Sequence, residues 1–291
     1  MVRAITAELA VDARADLGEG PAWDAAAGRL IWVDITRSVI HELFPDGRSR
    51  AWEVPEHVGA AVPRTRGGLL LAIRSGFATL ADDGSVSVIA SVEADDDSTR
   101  MNDGKCDPQG RFWAGTMAYA ETPGAGSLYR LDPGGAVHRV LTGVTISNGL
   151  GWSPDGKVMY YTDTATGGVD TFGFDAASGA LTGRRRLITV DPADGSPDGM
   201  TVDDEGCLWV ALWGGGAVRR YRQDGTLDAV IPLPASKVTS CAFGGQDGGD
   251  LYITTAAGGL SPGRRAAEPH AGGVFRCRPG VTGPPATPFA G

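Results

Sequence analysis

One stretch of the chain predicts the architecture of the rest: Thr99-Arg-Met-Asn-Asp-Gly-Lys-Cys-Asp-Pro-Gln-Gly-Arg-Phe-Trp-Ala-Gly-Thr-Met117. Its first part, Arg100 to Lys105, is polar and predicts a loop. A turn at Asp107-Pro-Gln-Gly110 and an apolar strand from Arg111 follow. A cation, an amide and a carboxylate crowded beside an apolar strand are more typical of a binding site than of plain surface.

The same succession of features recurs at intervals of roughly 40 to 50 residues. Each copy has a polar or small-residue start, a short apolar strand, a turn with Asp or Gly, and a second strand rich in aromatic and β-branched residues. Asn148-Gly-Leu-Gly-Trp152 with Val158-Met-Tyr-Tyr-Thr162 is one example. The copies start near residues 19, 60, 102, 148, 198 and 240.

A repeat of this length, with about four strands in each copy, is typical of a β-propeller blade. The 44 glycines and 18 prolines have no collagen-like period and fit turns between many short strands. We find no helical stripe of about ten or more residues, and a β-sandwich would leave the repetition unexplained. We therefore expect an all-β, six-bladed propeller with a central metal-binding channel, which spans residues 1–291 as a single domain.

A further strand is predicted before the first blade, at Ile5-Thr-Ala-Glu-Leu-Ala-Val11. It is placed to complete the last blade beside Gly273-Val-Phe-Arg-Cys277. This pairing would close the ring, so that no sheet edge is left open at the junction.

The bulk composition limits the classes of partner. A formal net charge of −9 argues against nucleic acid or an anionic membrane as a partner. No run approaches the ~18 apolar residues of a membrane span, and the first residues lack the apolar core of a signal peptide. The four cysteines form no CxxC pair, so neither a zinc site nor a disulfide framework is expected. We expect a cytoplasmic protein, and the sequence leaves its oligomeric state open.

Polar residues at the blade starts would face one another across the channel of a propeller. These residues are Glu19, Asn102, Asp103, Asn148 and Asp198. Carboxylate and amide oxygens are hard ligands that suit Ca²⁺, Mg²⁺ or Mn²⁺. In the alternative interpretation Asn148-Gly149 and Asp198-Gly199 are ordinary turns, because both pairs are frequent turn formers. The spacing alone leaves both interpretations open.

Two other patterns favour no catalytic role. Gly259-Leu-Ser-Pro-Gly263 matches the GxSxG pattern of serine hydrolases, which requires a strand, a turn and a helix. The residues after Ser261 show no helical stripe, so we do not expect a nucleophile there. The four histidines lie outside the blade starts and lack ligand spacing, which indicates surface or structural roles: His41, His57, His138 and His270.

The chain resembles the SMP-30/gluconolactonase family in a set of motifs that run through it in order. The matching stretches include Gly18-Glu-Gly-Pro21, Thr99-Arg-Met-Asn-Asp-Gly-Lys105, Ala114-Gly-Thr-Met117, Ile146-Ser-Asn-Gly-Leu150, Pro197-Asp-Gly-Met200 and Thr239-Ser-Cys-Ala-Phe-Gly-Gly245. The resemblance implies a six-bladed propeller lactonase with one divalent cation in the channel. It implies that Glu19, Asn148 and Asp198 bind the cation, which could be Ca²⁺, Zn²⁺, Mg²⁺, Mn²⁺ or Fe²⁺.

The resemblance also implies a substrate site. Arg100 and Asn102 would hold the sugar hydroxyls or the lactone group. The family's further substrate-binding glutamate follows the Gly-Thr-Met motif, but Ala120 stands at that position here. Glu121 is the candidate replacement.

The expected activity is hydrolysis of a sugar (aldono-) lactone to the aldonic acid, with a small-molecule lactone as the partner. Asp198 is the candidate general base for the attacking water, or it is only a ligand of the cation. Two other functions remain open: a non-catalytic propeller that binds calcium or another ligand, and an esterase or lactonase of paraoxonase type. The sequence does not identify the sugar.

Overall fold

The computed structural model describes residues 2–291 and shows six β-sheets, each of which is one blade of a propeller. Two short strands precede the first blade: β1 (Arg3–Ala4) and β2 (Glu8–Val11). The predicted six-bladed propeller is confirmed.

The first three blades each contain four successive strands. Blade 1 contains β3 (Gly18–Asp24), β4 (Arg29–Asp34), β5 (Val39–Leu43) and β6 (Ser49–Glu53). Blade 2 contains β7 (Val58–Pro63), β8 (Leu69–Ile73), β9 (Gly76–Leu80) and β10 (Val86–Ser91). Blade 3 contains β11 (Thr99–Cys106), β12 (Phe112–Ala118), β13 (Gly126–Leu131) and β14 (Val137–Val144).

The remaining blades use the two early strands as well. Blade 4 contains β15 (Ser147–Trp152), β16 (Val158–Asp163), β17 (Gly168–Phe174) and β18 (Leu181–Thr189). Blade 5 contains β19 (Ser196–Val202), β20 (Leu208–Trp213), β21 (Ala217–Tyr221), β22 (Leu227–Pro232) and β1. Blade 6 contains β23 (Val238–Gly244), β24 (Asp250–Thr255), β25 (Val274–Cys277) and β2.

The ring is closed by β2, as predicted. β2 pairs antiparallel with β25, with Glu8 opposite Arg276 and Leu9 opposite Phe275. β1 pairs in parallel with β22 of the neighbouring blade. The segment before blade 1 therefore holds blades 5 and 6 in place.

The first strands of the six blades surround the channel. Each pairs with the second strand of its blade through a register shift at its start, for example between Glu19 and Ala22. Such bulges turn side chains away from the regular alternation of a strand. The first strands can therefore present polar side chains to the channel while their other residues pack against neighbouring blades.

The prediction of a loop from Arg100 to Lys105 is wrong. These residues belong to β11, which runs without interruption from Thr99 to Cys106. The polar side chains of this run suggested a surface loop, but they belong to a strand and face the channel. The turn interpretation of Asn148-Gly149 and Asp198-Gly199 is wrong for the same reason, since both pairs lie within strands.

A buried aspartate fixes the turn between the first and second strands in two blades. Asp203 accepts hydrogen bonds from the backbone N–H of Cys207 at 2.8 Å and from Trp209 Nε1 at 2.9 Å. Asp107 does the same in blade 3 and accepts from Trp113 Nε1 at 2.9 Å. In both blades the aspartate side chain thus links the tight turn to a tryptophan side chain of the second strand by hydrogen bonds.

One helix departs from the expectation. α1 (Pro262–Ala267) follows Ser261 directly, although no helix was predicted there. The exposed Ser261 side chain accepts a hydrogen bond from the backbone N–H of Arg264 and so caps this helix. Proline at the first helical position also favours the helix start. Within residues 2–291, no helix has the length and apolar character required to cross a membrane.

Residues 282–291 cross the end of the channel where the first strands finish. The backbone N–H groups of Ala286, Phe289 and Ala290 donate to carbonyl oxygens of three different blades. Residues 284–287 also line a cavity of about 340 Å³ at this end. A different and larger cavity lies at the end where the first strands begin.

Candidate functional site

The cavity at the start of the first strands has a volume of about 640 Å³. It brings together six of the predicted residues: Glu19, Arg100, Asn102, Glu121, Asn148 and Asp198. The seventh, Asp103, lines the cavity at the opposite end of the channel instead. The six residues come from blades 1, 3, 4 and 5 and are far apart in sequence, so their proximity depends on closure of the ring.

Two buried oxygen atoms in this cavity have no hydrogen-bond partner among residues 2–291. They are Oδ1 of Asn148 and Oδ1 of Asp198. The orientation of the Asn148 amide is fixed, because its Nδ2 donates to Thr164 Oγ1 at 3.0 Å. Buried polar atoms without partners are rare in folded proteins. These two atoms, with the Glu19 carboxylate, form a set of oxygen donors that fits a divalent cation.

Burial and the proximity of other carboxylates raise the pKa values of Glu19 and Asp198 in the cavity. Burial, and then the charge of Asp103, raises the pKa of Glu19 to about 8. Burial, and then the charges of Glu19 and Asp103, raises the pKa of Asp198 well above its ordinary value. Without a cation the raised pKa favours the protonated form of Glu19 at neutral pH, and a bound cation would have to displace that proton.

Cation affinity is therefore expected to fall with decreasing pH. Below pH about 8 a cation competes with the proton on Glu19, so affinity should fall by up to about tenfold per pH unit for each displaced proton. Calorimetric titration with Mn²⁺ at about pH 6 and about pH 9 would measure this. Glu19→Gln, which has no titrating carboxyl, is the control and should bind weakly with a smaller pH dependence. Equal wild-type affinities at both pH values would contradict a role for Glu19 as ligand.

Arg100 and Asn102 form the second part of the site. Arg100 Nη1 donates to Asn102 Oδ1 at 2.7 Å and to the Met101 carbonyl at 3.0 Å. Asn102 Nδ2 donates to the Ser147 carbonyl at 2.7 Å. Both side chains are buried and held by neutral groups, so they present a rigid polar surface to a ligand in the cavity.

Blade 2 supports this surface through a close backbone contact at Gly59. A Cβ atom at this position would lie 2.0 Å from the Asn102 carbonyl oxygen and 2.8 Å from that of Met101. The first strand of blade 2 thus approaches that of blade 3 more closely than any side chain permits.

Gly59→Ala is expected to destabilise the protein by about 1–3 kcal/mol, because the overpacked backbone must move. Since the contact lies beside Asn102, the shift should also misplace Arg100 and lower turnover of a bound substrate by up to about 100-fold. Urea unfolding and steady-state kinetics would measure both effects. Gly134→Ala is the matched control, because a Cβ there meets nothing within 4 Å. Wild-type stability and turnover in Gly59→Ala would contradict the contact.

Glu121 lies at the exposed rim of the cavity. It follows a turn in which its backbone N–H donates to the Ala118 carbonyl at 2.9 Å, and its φ is 53°. This left-handed conformation places Glu121 at the cavity lining. The preceding residue, Ala120, is the position that departs from the family pattern.

Sequence reasoning missed two residues beside the site. The Arg100 guanidinium lies 5.8 Å from the centre of the Tyr119 ring, within the range of a cation–π contact. Tyr119 Oη lies 2.8 Å from His57 Nδ1 of blade 2. His57 was assigned a surface or structural role, and its link to Arg100 through Tyr119 depends on the packing of two blades. In the sequence, only the position of Tyr119, two residues after Met117 of the Gly-Thr-Met motif, could have indicated that this side chain lies near the site.

The fold and this cavity define a propeller with a cavity of small-molecule size at one end of its channel, lined by oxygen donors and a buried guanidinium. The model of the SMP-30/Gluconolactonase/LRE-like region matches residues 17–257. The chain belongs to this family, and hydrolysis of sugar lactones is the general activity that membership supports.

Individual relatives agree over nearly their whole length. The chain is 40% identical to a Bacillus subtilis (strain 168) protein provisionally named sugar lactone lactonase YvrE, over 98% of this chain and 99% of the relative. It is 38% identical to regucalcin of Xenopus laevis, over 99% of both chains. A crystal structure of the calcium-binding protein regucalcin from Agrobacterium tumefaciens is similar, with a TM-score of 0.94 and 31% identity over 99% of both chains.

Proposed function

We propose that this protein hydrolyses a sugar lactone to the open-chain sugar acid with the help of one divalent cation. The observation that carries the proposal is the pair of unpartnered buried oxygens, Asn148 Oδ1 and Asp198 Oδ1, in a cavity that also holds Glu19. Family membership supports the lactone as the class of substrate.

Glu19, Asn148 and Asp198 would hold the cation. When bound, the cation would act as a Lewis acid on the lactone. The two carboxylates would balance its charge, and the Asn148 amide would add a neutral donor whose orientation Thr164 fixes.

Asp198 is the candidate for proton transfer, since it lines the cavity and has a buried carboxylate. We propose that its carboxylate accepts a proton from the attacking water and returns it to the leaving ring oxygen. Burial raises the pKa of Asp198 in the cation-free cavity, and a bound cation would lower it again and so weaken the carboxylate as a base. In the alternative, Asp198 only holds the cation.

Arg100, Asn102 and Glu121 would bind the substrate. The buried Arg100 and Asn102 side chains offer directed N–H groups to its oxygens, and Glu121 at the rim would accept from its hydroxyls. A rigid, partly desolvated set of donors lowers the entropy cost of orienting the lactone.

The test is hydrolysis of a panel of aldonolactones by metal-stripped protein with Mg²⁺, Mn²⁺, Ca²⁺, Zn²⁺ or Fe²⁺ added back. We expect activity that requires a cation and is lost in Glu19→Ala. Cation binding without hydrolysis of any lactone would favour the non-catalytic binding propeller. Activity restricted to apolar esters would favour the paraoxonase-type alternative, which the polar groups Arg100 and Asn102 disfavour.

A further inference from the structure

Arg100 differs from the other buried arginines in its lack of a carboxylate partner. Three arginines are buried in the described chain: Arg100, Arg111 and Arg220. Arg111 pairs with Asp107 at 2.6 Å, and Arg220 pairs with Asp203 at 2.7 Å. Among residues 2–291, no carboxylate forms an ion pair with Arg100 within 4.0 Å. A buried charge without a partner is strongly unfavourable, so this position requires an explanation.

The donors of Arg100 are only partly used. Its two hydrogen bonds run from Nη1 to neutral oxygens, those of Met101 and Asn102. Nε and Nη2 have no acceptor within the described residues, and Arg100 lines the cavity. The Tyr119 ring compensates part of the charge. The free donors form the edge of a guanidinium fork, the geometry that binds carboxylates in bidentate fashion.

The other charges that line the cavity do not supply the missing anion. Glu19 and Asp198 would be balanced by the divalent cation of the proposed function. Glu121 is exposed at the rim, where water screens its charge. One buried positive charge therefore remains for the substrate to neutralise.

We propose that the preferred lactone carries a carboxylate of its own, as the monolactone of a sugar diacid does, and that Arg100 binds this group. The inference rests on the proposed function and names its substrate class. The lactone group would lie toward Glu19, Asn148 and Asp198, and the carboxylate would lie at Arg100. A neutral lactone would offer only hydroxyl oxygens to the buried guanidinium.

The test compares two lactones with the same ring, D-glucaro-1,4-lactone and D-glucono-1,4-lactone. They differ only in a carboxylate or a hydroxymethyl group at the far carbon. The diacid lactone should have a kcat/KM higher by about tenfold or more, because a charge-assisted hydrogen bond exceeds a neutral one. The ratio of the two kcat/KM values should decrease as salt is added.

Variants distinguish the effect of the Arg100 side chain on substrate preference from that of the protein's overall electrostatic field. Arg100→Met should reduce the ratio of the two kcat/KM values to near one, and Arg100→Lys should keep part of it. Arg74→Met is the matched control on the neighbouring blade. Arg74 already pairs with Asp97 at 3.0 Å, so its loss should leave the ratio unchanged.

The outcomes are distinguishable. Equal or better hydrolysis of the neutral lactone by the wild type would overturn the inference and leave the lactonase intact. Hydrolysis of neither lactone, with any cation, would overturn the proposed function and the inference with it. If Arg100→Met does not fold, Arg100→Lys and the salt dependence of the wild-type ratio decide the question. A ratio independent of salt would then count against Arg100.

Discussion

Asp198→Asn is expected to lower lactone turnover on the order of 1,000-fold. The substitution keeps the volume and removes the charge, and the Asp198 carboxylate is assigned both cation binding and proton transfer in the cavity it shares with Glu19 and Asn148. Steady-state hydrolysis at saturating cation would measure the effect. Asp224→Asn, a change at an exposed turn of the same blade, is the control and should keep wild-type turnover.

Cation binding by the same variant separates the two roles of Asp198. Weakened cation binding together with lost turnover would favour a ligand. Unchanged cation affinity with lost turnover would favour the general base. Full turnover in Asp198→Asn would exclude both assignments.

Asp203→Ala is expected to lower the free energy of unfolding by about 2–4 kcal/mol, because several buried donors lose their acceptor. Arg220 keeps Glu205 and Asp228 as partners. The Asp203 side chain is fully buried, and its loss leaves the Arg220 guanidinium and the Trp209 N–H without this acceptor. Urea unfolding followed by tryptophan fluorescence would measure the change in free energy.

Asp224→Ala is the matched control for this prediction. Asp224 also closes a turn of blade 5, where it accepts from the Thr226 N–H at 2.9 Å, but it is exposed. Its loss should cost about 1 kcal/mol or less. Equal effects of the two substitutions would show that burial of the Asp203 network adds no stability.

Much of the fold could be predicted because each blade repeats the same pattern. The apolar second strands, such as Leu30 to Val33 and Leu208 to Ala211, stand at regular intervals after turns with glycine. The closing strand was predictable because Leu9 and Val11 alternate with exposed residues. The first strands were harder to predict, since their polar channel-facing side chains and register shifts remove the usual alternation.

The site could be predicted only in part. Glu19, Asn148 and Asp198 occupy equivalent places in their blades, so the repeat itself brings them together. The Tyr119–His57 contact could not be predicted in this way. It depends on a turn in which the Tyr119 N–H donates to the Ser98 carbonyl at 2.9 Å and on how blade 2 packs against blade 3. The unpaired state of Arg100 is likewise visible only once every neighbouring carboxylate is placed.

The pairing of β2 with β25 also sets an order for biosynthesis. Glu8 and Arg276, which form an ion pair across it, are 268 positions apart in the chain. The ribosome synthesises β2 long before its partner β25. During translation β2 therefore has no strand to pair with until the first five blades have been synthesised. Contacts between such distant segments form late, because a long loop must close first. Since Glu19 and Asp198 lie on different blades of the ring, we expect their relative geometry to become fixed only after that step, so that cation capture would report that the nascent chain has finished folding.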